Sequence, residues 1–157
     1  MRTALADHLL PRDRFGALFE ALTAAGYAIH GPRVRDGALV MAPVAGPDDL
    51  AFGVRDRQAP GEYRLEEGTG RWFAWANGPM ALKPLTFAPR ETLWRSEQGP
   101  DGGLTFSGEP AEAEPLAVIG VRACDLAGLA LQDRHFLEGE ADPHYAARRE
   151  RLFLVAV

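Results

Sequence analysis

The sequence predicts a mixed fold, in which an α+β N-terminal region with an irregular Pro/Trp-rich segment is followed by a βαβ unit of the parallel α/β type. A helix-spaced apolar pattern opens the chain, and a middle part rich in proline and tryptophan has no helical period. Near the C-terminus, two continuous apolar runs flank a helical pattern, as in strands buried on both faces of a parallel sheet. We assign residues 1–110 to the first region and residues 111–157 to the βαβ unit.

The first predicted element is a helix after Leu10. Its apolar side chains recur at helical spacing, and Gly26 is a natural C-terminal stop. They are Phe15, Leu18, Phe19 and Leu22. A hairpin should follow, with strands at Tyr27–His30 and Ala38–Pro43 and with turns at Gly31-Pro32 and Asp36-Gly37.

The middle of the chain predicts short strands and an extended segment. Tyr63–Leu65 and Arg71–Ala76 have strand composition, and Glu67–Gly70 between them predicts a turn. Three prolines, Pro79, Pro84 and Pro89, then recur every five residues, a density that disfavours a regular helix or a central strand. We expect an extended segment on the body of the domain there. The polar, glycine-rich and acidic stretch from Ser96 to Pro115 is the expected boundary.

The βαβ unit is predicted from residue 116 onward. Leu116–Val121 and Leu152–Val157 are the apolar runs, and a helix is expected to begin at Asp125 and to reach about Phe136. Tyr145–Arg151 should also be helical. The two strands should be parallel and belong to one sheet. Because the second run brings the sequence to its last residue, we expect the sequence to be truncated.

Composition narrows the function classes. The net charge of −5 argues against nucleic acid or an anionic membrane as the main partner, since both require a cationic surface. No run approaches the ~20 apolar residues of a membrane span, and no secretory signal opens the chain. A single cysteine excludes an internal disulfide, and we therefore expect a cytoplasmic protein.

The motif that stands out is Gly120–Asp125, with the sequence GVRACD. It places Cys124 between a buried strand and a helix N-terminus, where backbone N–H groups and Arg122 favour a thiolate. Such a thiolate could be a nucleophile, a redox group or a metal ligand; the alternative is a small side chain that packs under the helix. His135, roughly 16 Å further along the helix, is excluded as a catalytic base, whereas His144 could fold back.

A cofactor interpretation of the Pro/Trp-rich segment is also open. Trp72, Trp75 and Trp94 could stack on a flat ring, while Lys83 and Arg90 could hold phosphates. The alternative is that the aromatic side chains anchor an irregular segment and that the two cations are solvated.

Four stretches together resemble the 4Fe-4S dicluster-domain proteins, a family that includes the A-type protein of anaerobic sulfite reductase and the beta protein of sulfhydrogenase. The most specific of them is Gly120–Leu126 (GVRACDL), and the other three support it by order and spacing. These are Pro60–Leu65 (PGEYRL), Gly78–Trp94 with its end FAPRETLW, and Asp142–Arg149 (DPHYAARR). The resemblance covers most of the chain from Pro60 onward.

The resemblance implies an electron-transfer subunit of an iron–sulfur oxidoreductase complex of anaerobic metabolism, which exchanges electrons with a catalytic reductase or hydrogenase subunit. In that family a cysteine-rich part follows, and its ferredoxin-type motifs hold two 4Fe-4S clusters. Only Cys124 matches a family cysteine, which makes it a candidate cluster ligand; Arg122, Lys83 and Arg90 are candidate cofactor-binding residues, and no catalytic residue is assigned. No complete cluster is expected within these residues.

Two functions from different classes remain open at this point. The first is an N-terminal fragment of an electron-transfer subunit, not catalytic alone, that acts as scaffold and docking surface. The second is a non-redox binding module that holds an anionic ligand at the helix N-terminus after Cys124. The resemblance does not distinguish sulfite from hydrogen as the terminal substrate, and it leaves open whether a flavin takes part.

Overall fold

A computed structural model of the chain describes residues 8–78 and 81–157, and it confirms the predicted mixed α+β class. Short 3-10 turns lie at Arg12–Arg14 and Pro47–Asp49. Pro79, one of the three regularly spaced prolines, lies outside the described residues. The helices and strands, in chain order, are α1 Gly16–Ala24, β1 Ala28–Arg35, β2 Ala38–Pro43, β3 Phe52–Ala59, β4 Glu62–Trp72, α2 Lys83–Thr86, β5 Trp94–Gln98, β6 Leu104–Gly108, β7 Leu116–Val121, α3 Ala123–Leu137, α4 Pro143–Glu150 and β8 Leu152–Ala156.

The main sheet has four strands in the order β2-β1-β7-β8. β1 and β2 form the predicted antiparallel hairpin, whereas β7 pairs in parallel with β1 on one side and with β8 on the other. Helices α3 and α4 connect β7 to β8. The sheet therefore combines strands from both sides of residue 110.

The two faces of β7 define two hydrophobic clusters, because alternate side chains of a strand point to opposite faces of the sheet. Ala117 and Ile119 pack on one face with α1 and β1 residues, and Val118 and Val121 pack on the other with α2 and α3 residues. Burial of each large apolar side chain stabilises the fold by about 1.5–3 kcal/mol. The partners are Phe19, Leu22 and Ile29 on the first face, and Leu82 and Leu129 on the second.

The predicted turn at Gly31-Pro32 is wrong, because both residues lie inside β1. β1 pairs with β7 only through residues 28–30, so its later residues have a single neighbouring strand. The carbonyl of Pro32 accepts a hydrogen bond from the N–H of Ala51 over 2.8 Å and so points away from β2. The proline nitrogen faces the same side, where no ladder requires its missing N–H.

The predicted turn at Glu67–Gly70 is also wrong. This stretch belongs to one long strand, β4, which pairs with β3, a strand that the sequence did not predict. The register shifts from Val54 opposite Glu67 to Phe52 opposite Trp72, so several β4 residues bulge out of the ladder. Gly68 and Gly70 therefore mark an irregularity within a strand, a position at which glycine is as common as it is in turns.

The stretch expected to be extended, between Trp75 and Trp94, contains the single-turn helix α2. Pro84 lies in its first turn, where a backbone N–H has no helical acceptor and a proline costs nothing. The stretch expected to be a polar boundary, in turn, contains the antiparallel β5–β6 hairpin. Both corrections concern short elements that composition alone does not reveal.

The last elements differ from the prediction in two details. α3 begins at Ala123, two residues before the predicted Asp125. β8 lies at an edge of the sheet with Phe153 exposed, so it is not buried on both faces in the way that β7 is. α4 begins where Asp142 accepts the N–H groups of His144 and Tyr145. Among the described residues, no helix has both the length and the apolar character needed to cross a membrane.

Candidate functional site

An open cleft of about 650 Å³ lies where β7 leads into α3. Parallel strands deliver their functional loops at this end, and the positive end of the helix dipole points into the same region. The wall opposite α3 is the segment Phe73–Ala76, which follows β4. Asp56, Arg122, Cys124 and Val157 complete the lining.

Cys124 is exposed at this cleft. It is the second residue of α3, so it lies in the first turn of the helix and not in the preceding loop where the sequence placed it. The dipole of α3 and the free N–H groups of its first turn favour a negatively charged sulfur there. The alternative of a small side chain packed beneath the helix does not describe this exposed position.

Arg122 precedes the helix and has a structural task. Its guanidinium donates to the carbonyl oxygen of Phe73 over 2.6 Å and to that of Trp75. The side chain is half-buried, and these bonds hold the segment after β4 against the end of β7. The structure thus brings Arg122 and Cys124 to one cleft, with the charge of Arg122 directed at main-chain carbonyls.

Asp125 caps the start of α3, as the sequence predicted. Its carboxylate accepts the backbone N–H of Arg122 over 2.9 Å and the side-chain amide of Asn77 over 2.7 Å. The same Asn77 amide donates to the carbonyl of Gly120 over 3.0 Å. Asn77 therefore joins the strand end to the helix start. Sequence reasoning missed it, because a single asparagine in a glycine- and proline-rich segment gives no distinguishing signal.

Close backbone contact shapes the site at Gly120. This residue has φ +87°, and a Cβ there would lie 2.9 Å from the ring of Phe73 and 3.1 Å from Pro32. Phe73 itself has φ +60°, a conformation that costs a non-glycine residue of order 1–3 kcal/mol. The hydrogen bond from Arg122 to the Phe73 carbonyl helps to stabilise this conformation.

The residues of the proposed flat-ring site do not come together. Trp75 is buried at the cleft, Trp72 packs with Phe15 and Phe52, and Trp94 contacts Phe106 on the β5–β6 hairpin. Lys83 begins α2 and Arg90 lies in the following loop; both are exposed, and neither lines the cleft.

His144 does not fold back towards Cys124. Its Nδ1 lies 3.0 Å from a carboxylate oxygen of Glu91, which also accepts from Arg148. The hydrogen bond from Arg148 holds the pKa of Glu91 below its ordinary value. Next to this pair, the buried hydroxyl of Tyr145 donates to Asp133, and burial raises the pKa of Tyr145. These contacts fix α4 to α3 and to the loop before β5.

A cubane cluster takes four thiolates, and this chain offers one. Within residues 8–78 and 81–157, no group of three or more His, Cys, Asp or Glu side chains converges on a common point. Cys124 can therefore supply at most one ligand, and the residues present do not fit a complete cluster.

Comparison of the chain with protein-family models, with curated proteins and with solved structures finds no match.

Proposed function

We propose that this chain is the N-terminal part of an electron-transfer subunit in a cytoplasmic iron–sulfur reductase or hydrogenase complex. The observation that carries the proposal is the exposed thiol of Cys124, in the first turn of α3, at an open cleft. The same motif, Gly120–Leu126, carries the resemblance to the 4Fe-4S dicluster-domain proteins.

The surroundings of the thiol are suited to docking. Val157 borders the cleft with its side chain exposed, next to the open edge of β8, where Phe153 is exposed as well. An apolar rim around an accessible thiol can be covered by a further protein surface that contributes more ligands. The role proposed for Cys124 is that of one ligand or one redox thiol at such an interface, and no catalytic residue is assigned to this part.

The non-redox alternative, an anionic ligand at the start of α3, has less support. The carboxylate of Asp125 already occupies the first turn and adds negative charge there. The Arg122 guanidinium donates to two main-chain carbonyls. A second anion would meet repulsion from Asp125 without a free guanidinium to compensate it.

The test is Cys124→Ser in the protein that carries the cysteine-rich part implied by the resemblance. We expect a loss of iron and acid-labile sulfide, or a slower transfer of electrons to the catalytic subunit. Ala127→Ser, one turn further along α3, is the matched control and should change neither quantity. Unchanged cluster content together with an unchanged rate in Cys124→Ser would remove Cys124 from the site.

A second measurement uses the 157-residue chain alone. Treated anaerobically with iron and sulfide, it should show no stoichiometric absorption near ~400 nm, because one thiolate cannot hold a cubane. Iodoacetamide should modify Cys124 in the folded protein about as fast as in the urea-unfolded protein, because the sulfur is exposed. A thiol that reacts only after unfolding would contradict the docking role. Titration with phosphate and sulfite, followed by calorimetry, tests the anion-binding alternative.

A further inference from the structure

The β5–β6 hairpin is a two-stranded sheet of its own, exposed along both strands. Three large apolar side chains share one of its faces, and an isolated hairpin of this kind is at best marginally stable in water. The three are Trp94, Leu104 and Phe106, which are 60%, 61% and 62% exposed. Such a hairpin gains stability when a further strand joins it.

The direction of the backbone groups in β5 follows from the two ends of the ladder. The carbonyl of Leu93 accepts the N–H of Glu109 over 3.0 Å, and the N–H of Gly99 donates to Gly103 over 2.8 Å. Hydrogen-bonded pairs alternate in an antiparallel ladder, so the odd-numbered residues between them also face β6. The N–H and C=O groups of the even-numbered residues Trp94, Ser96 and Gln98 therefore point to the open edge of β5.

The charges on β5 are self-complementary about Ser96. Arg95 and Glu97 flank it on the face opposite Trp94. If a second copy of β5 lies antiparallel to the first, with Ser96 facing Ser96, then Arg95 of each copy lies opposite Glu97 of the other. These are the non-hydrogen-bonded positions, at which cross-strand side chains approach most closely.

The pairing requires no rearrangement of the hairpin. In this register the even-numbered residues of the two copies exchange their free N–H and C=O groups. Arg95 already pairs with Glu109 of its own chain, but its side chain remains 64% exposed and can accept a second carboxylate. Edge strands that avoid self-association carry charges that repel an incoming strand, whereas this edge presents charges that attract its own copy.

We propose that the protein forms a two-fold symmetric dimer through β5, which joins two hairpins into a four-stranded antiparallel sheet in the order β6-β5-β5-β6. The two apolar faces then lie on the same side of the joined sheet. β6 is also an open edge, but Leu104–Gly108 contains no charged residue, so charge complementarity selects β5. This assembly goes beyond the electron-transfer role and does not depend on it.

The first test compares two proline variants of the 157-residue chain by sedimentation equilibrium. Ser96→Pro removes an N–H that faces the open edge of β5 and leaves the β5–β6 ladder intact. Phe106→Pro does the same at the edge of β6. The unmodified chain should dimerise with a Kd on the order of 10–100 µM, and Ser96→Pro should weaken this by ~10-fold or more, while Phe106→Pro still dimerises. A monomeric unmodified chain, or a Ser96→Pro variant that dimerises normally, would overturn the proposal.

The second test uses charge reversal and does not depend on how well one variant folds. Glu97→Arg places arginine opposite arginine in its own dimer, and Arg95→Glu places glutamate opposite glutamate, so each variant alone should be monomeric. An equimolar mixture restores every opposite-charge pair and should form heterodimers. If the mixture stays monomeric while the unmodified chain dimerises, the interface is not β5.

Discussion

The side-chain amide of Asn77 donates a hydrogen bond to the carboxylate of Asp125 over 2.7 Å and thereby ties the segment after β4 to the first turn of α3. The same amide reaches the carbonyl of Gly120. One side chain thus serves the strand end, the helix cap and the wall of the cleft.

Asn77→Ala should lower the free energy of unfolding by about 1–2 kcal/mol, because the Gly120 carbonyl loses this donor. Asn77→Asp should cost more at neutral pH, since it brings a second carboxylate against Asp125. Acidification to about pH 4 should reduce the extra deficit of Asn77→Asp relative to Asn77→Ala, because a protonated carboxyl can donate again. Urea unfolding at both pH values measures this, and equal stability of the two variants at neutral pH would contradict it.

Arg122→Ala should lower the free energy of unfolding by about 2–3 kcal/mol, because it leaves the half-buried carbonyls of Phe73 and Trp75 without their charged donor. Arg90→Ala is the control: Arg90 is exposed, so its loss should stay within about 0.5 kcal/mol. A comparable loss in both variants would mean that the bonds of Arg122 contribute nothing specific.

Gly120→Ala should lower the free energy of unfolding by more than about 2 kcal/mol, since the new Cβ would meet Phe73 and Pro32 and would sit at a positive φ. Gly128→Ala makes the same chemical change within α3, where a Cβ meets nothing within 4 Å. It should stabilise the protein by about 0.5–1 kcal/mol through helix propensity. Opposite signs for the two substitutions in thermal or urea unfolding are the expected result.

Glu91→Gln tests the ion pair that fastens α4. Because Arg148 lowers the pKa of Glu91 in the folded protein, the stabilisation is present above the unfolded-state pKa and is lost as the pH falls through the folded-state pKa. The variant should be about 1 kcal/mol less stable than the unmodified chain at neutral pH, and the difference should vanish below about pH 4. Glu20→Gln, at an exposed position of α1, should show no such pH dependence.

The elements that sequence reasoning placed correctly are those with a strong period or a strong punctuation mark. Phe19 and Leu22 identify α1, Asp36-Gly37 identifies the β1–β2 turn, and the unbroken apolar run ending at Val121 identifies the buried strand β7. Gly68 and Gly70 misled because a glycine in a bulge has the same composition signal as a glycine in a turn. Pro32 misled because its tolerance depends on which neighbouring strand is absent, a tertiary fact.

The candidate site was predictable in part for the same reason. A buried strand followed by a helix locates Cys124 from sequence alone, since strand end and helix start adjoin along the chain. The partners of that junction, Asn77 and Phe73, come from a segment far away in the sequence, and no local pattern marks them. The task of Arg122 was missed because a guanidinium near a thiol suggests electrostatics, while its actual acceptors are distant main-chain carbonyls.

The pairing of β1 with β7 has a consequence for how the chain folds. Ala28 pairs with Leu116, so an early strand obtains its central neighbour only late in the sequence. During synthesis, the β1–β2 hairpin must wait on the ribosome with one edge of β1 open until β7 emerges. Contacts of such sequence separation slow folding, because the entropy of loop closure is lost before the contact forms. We therefore expect the nascent chain to be most prone to aggregation before Val121 is released.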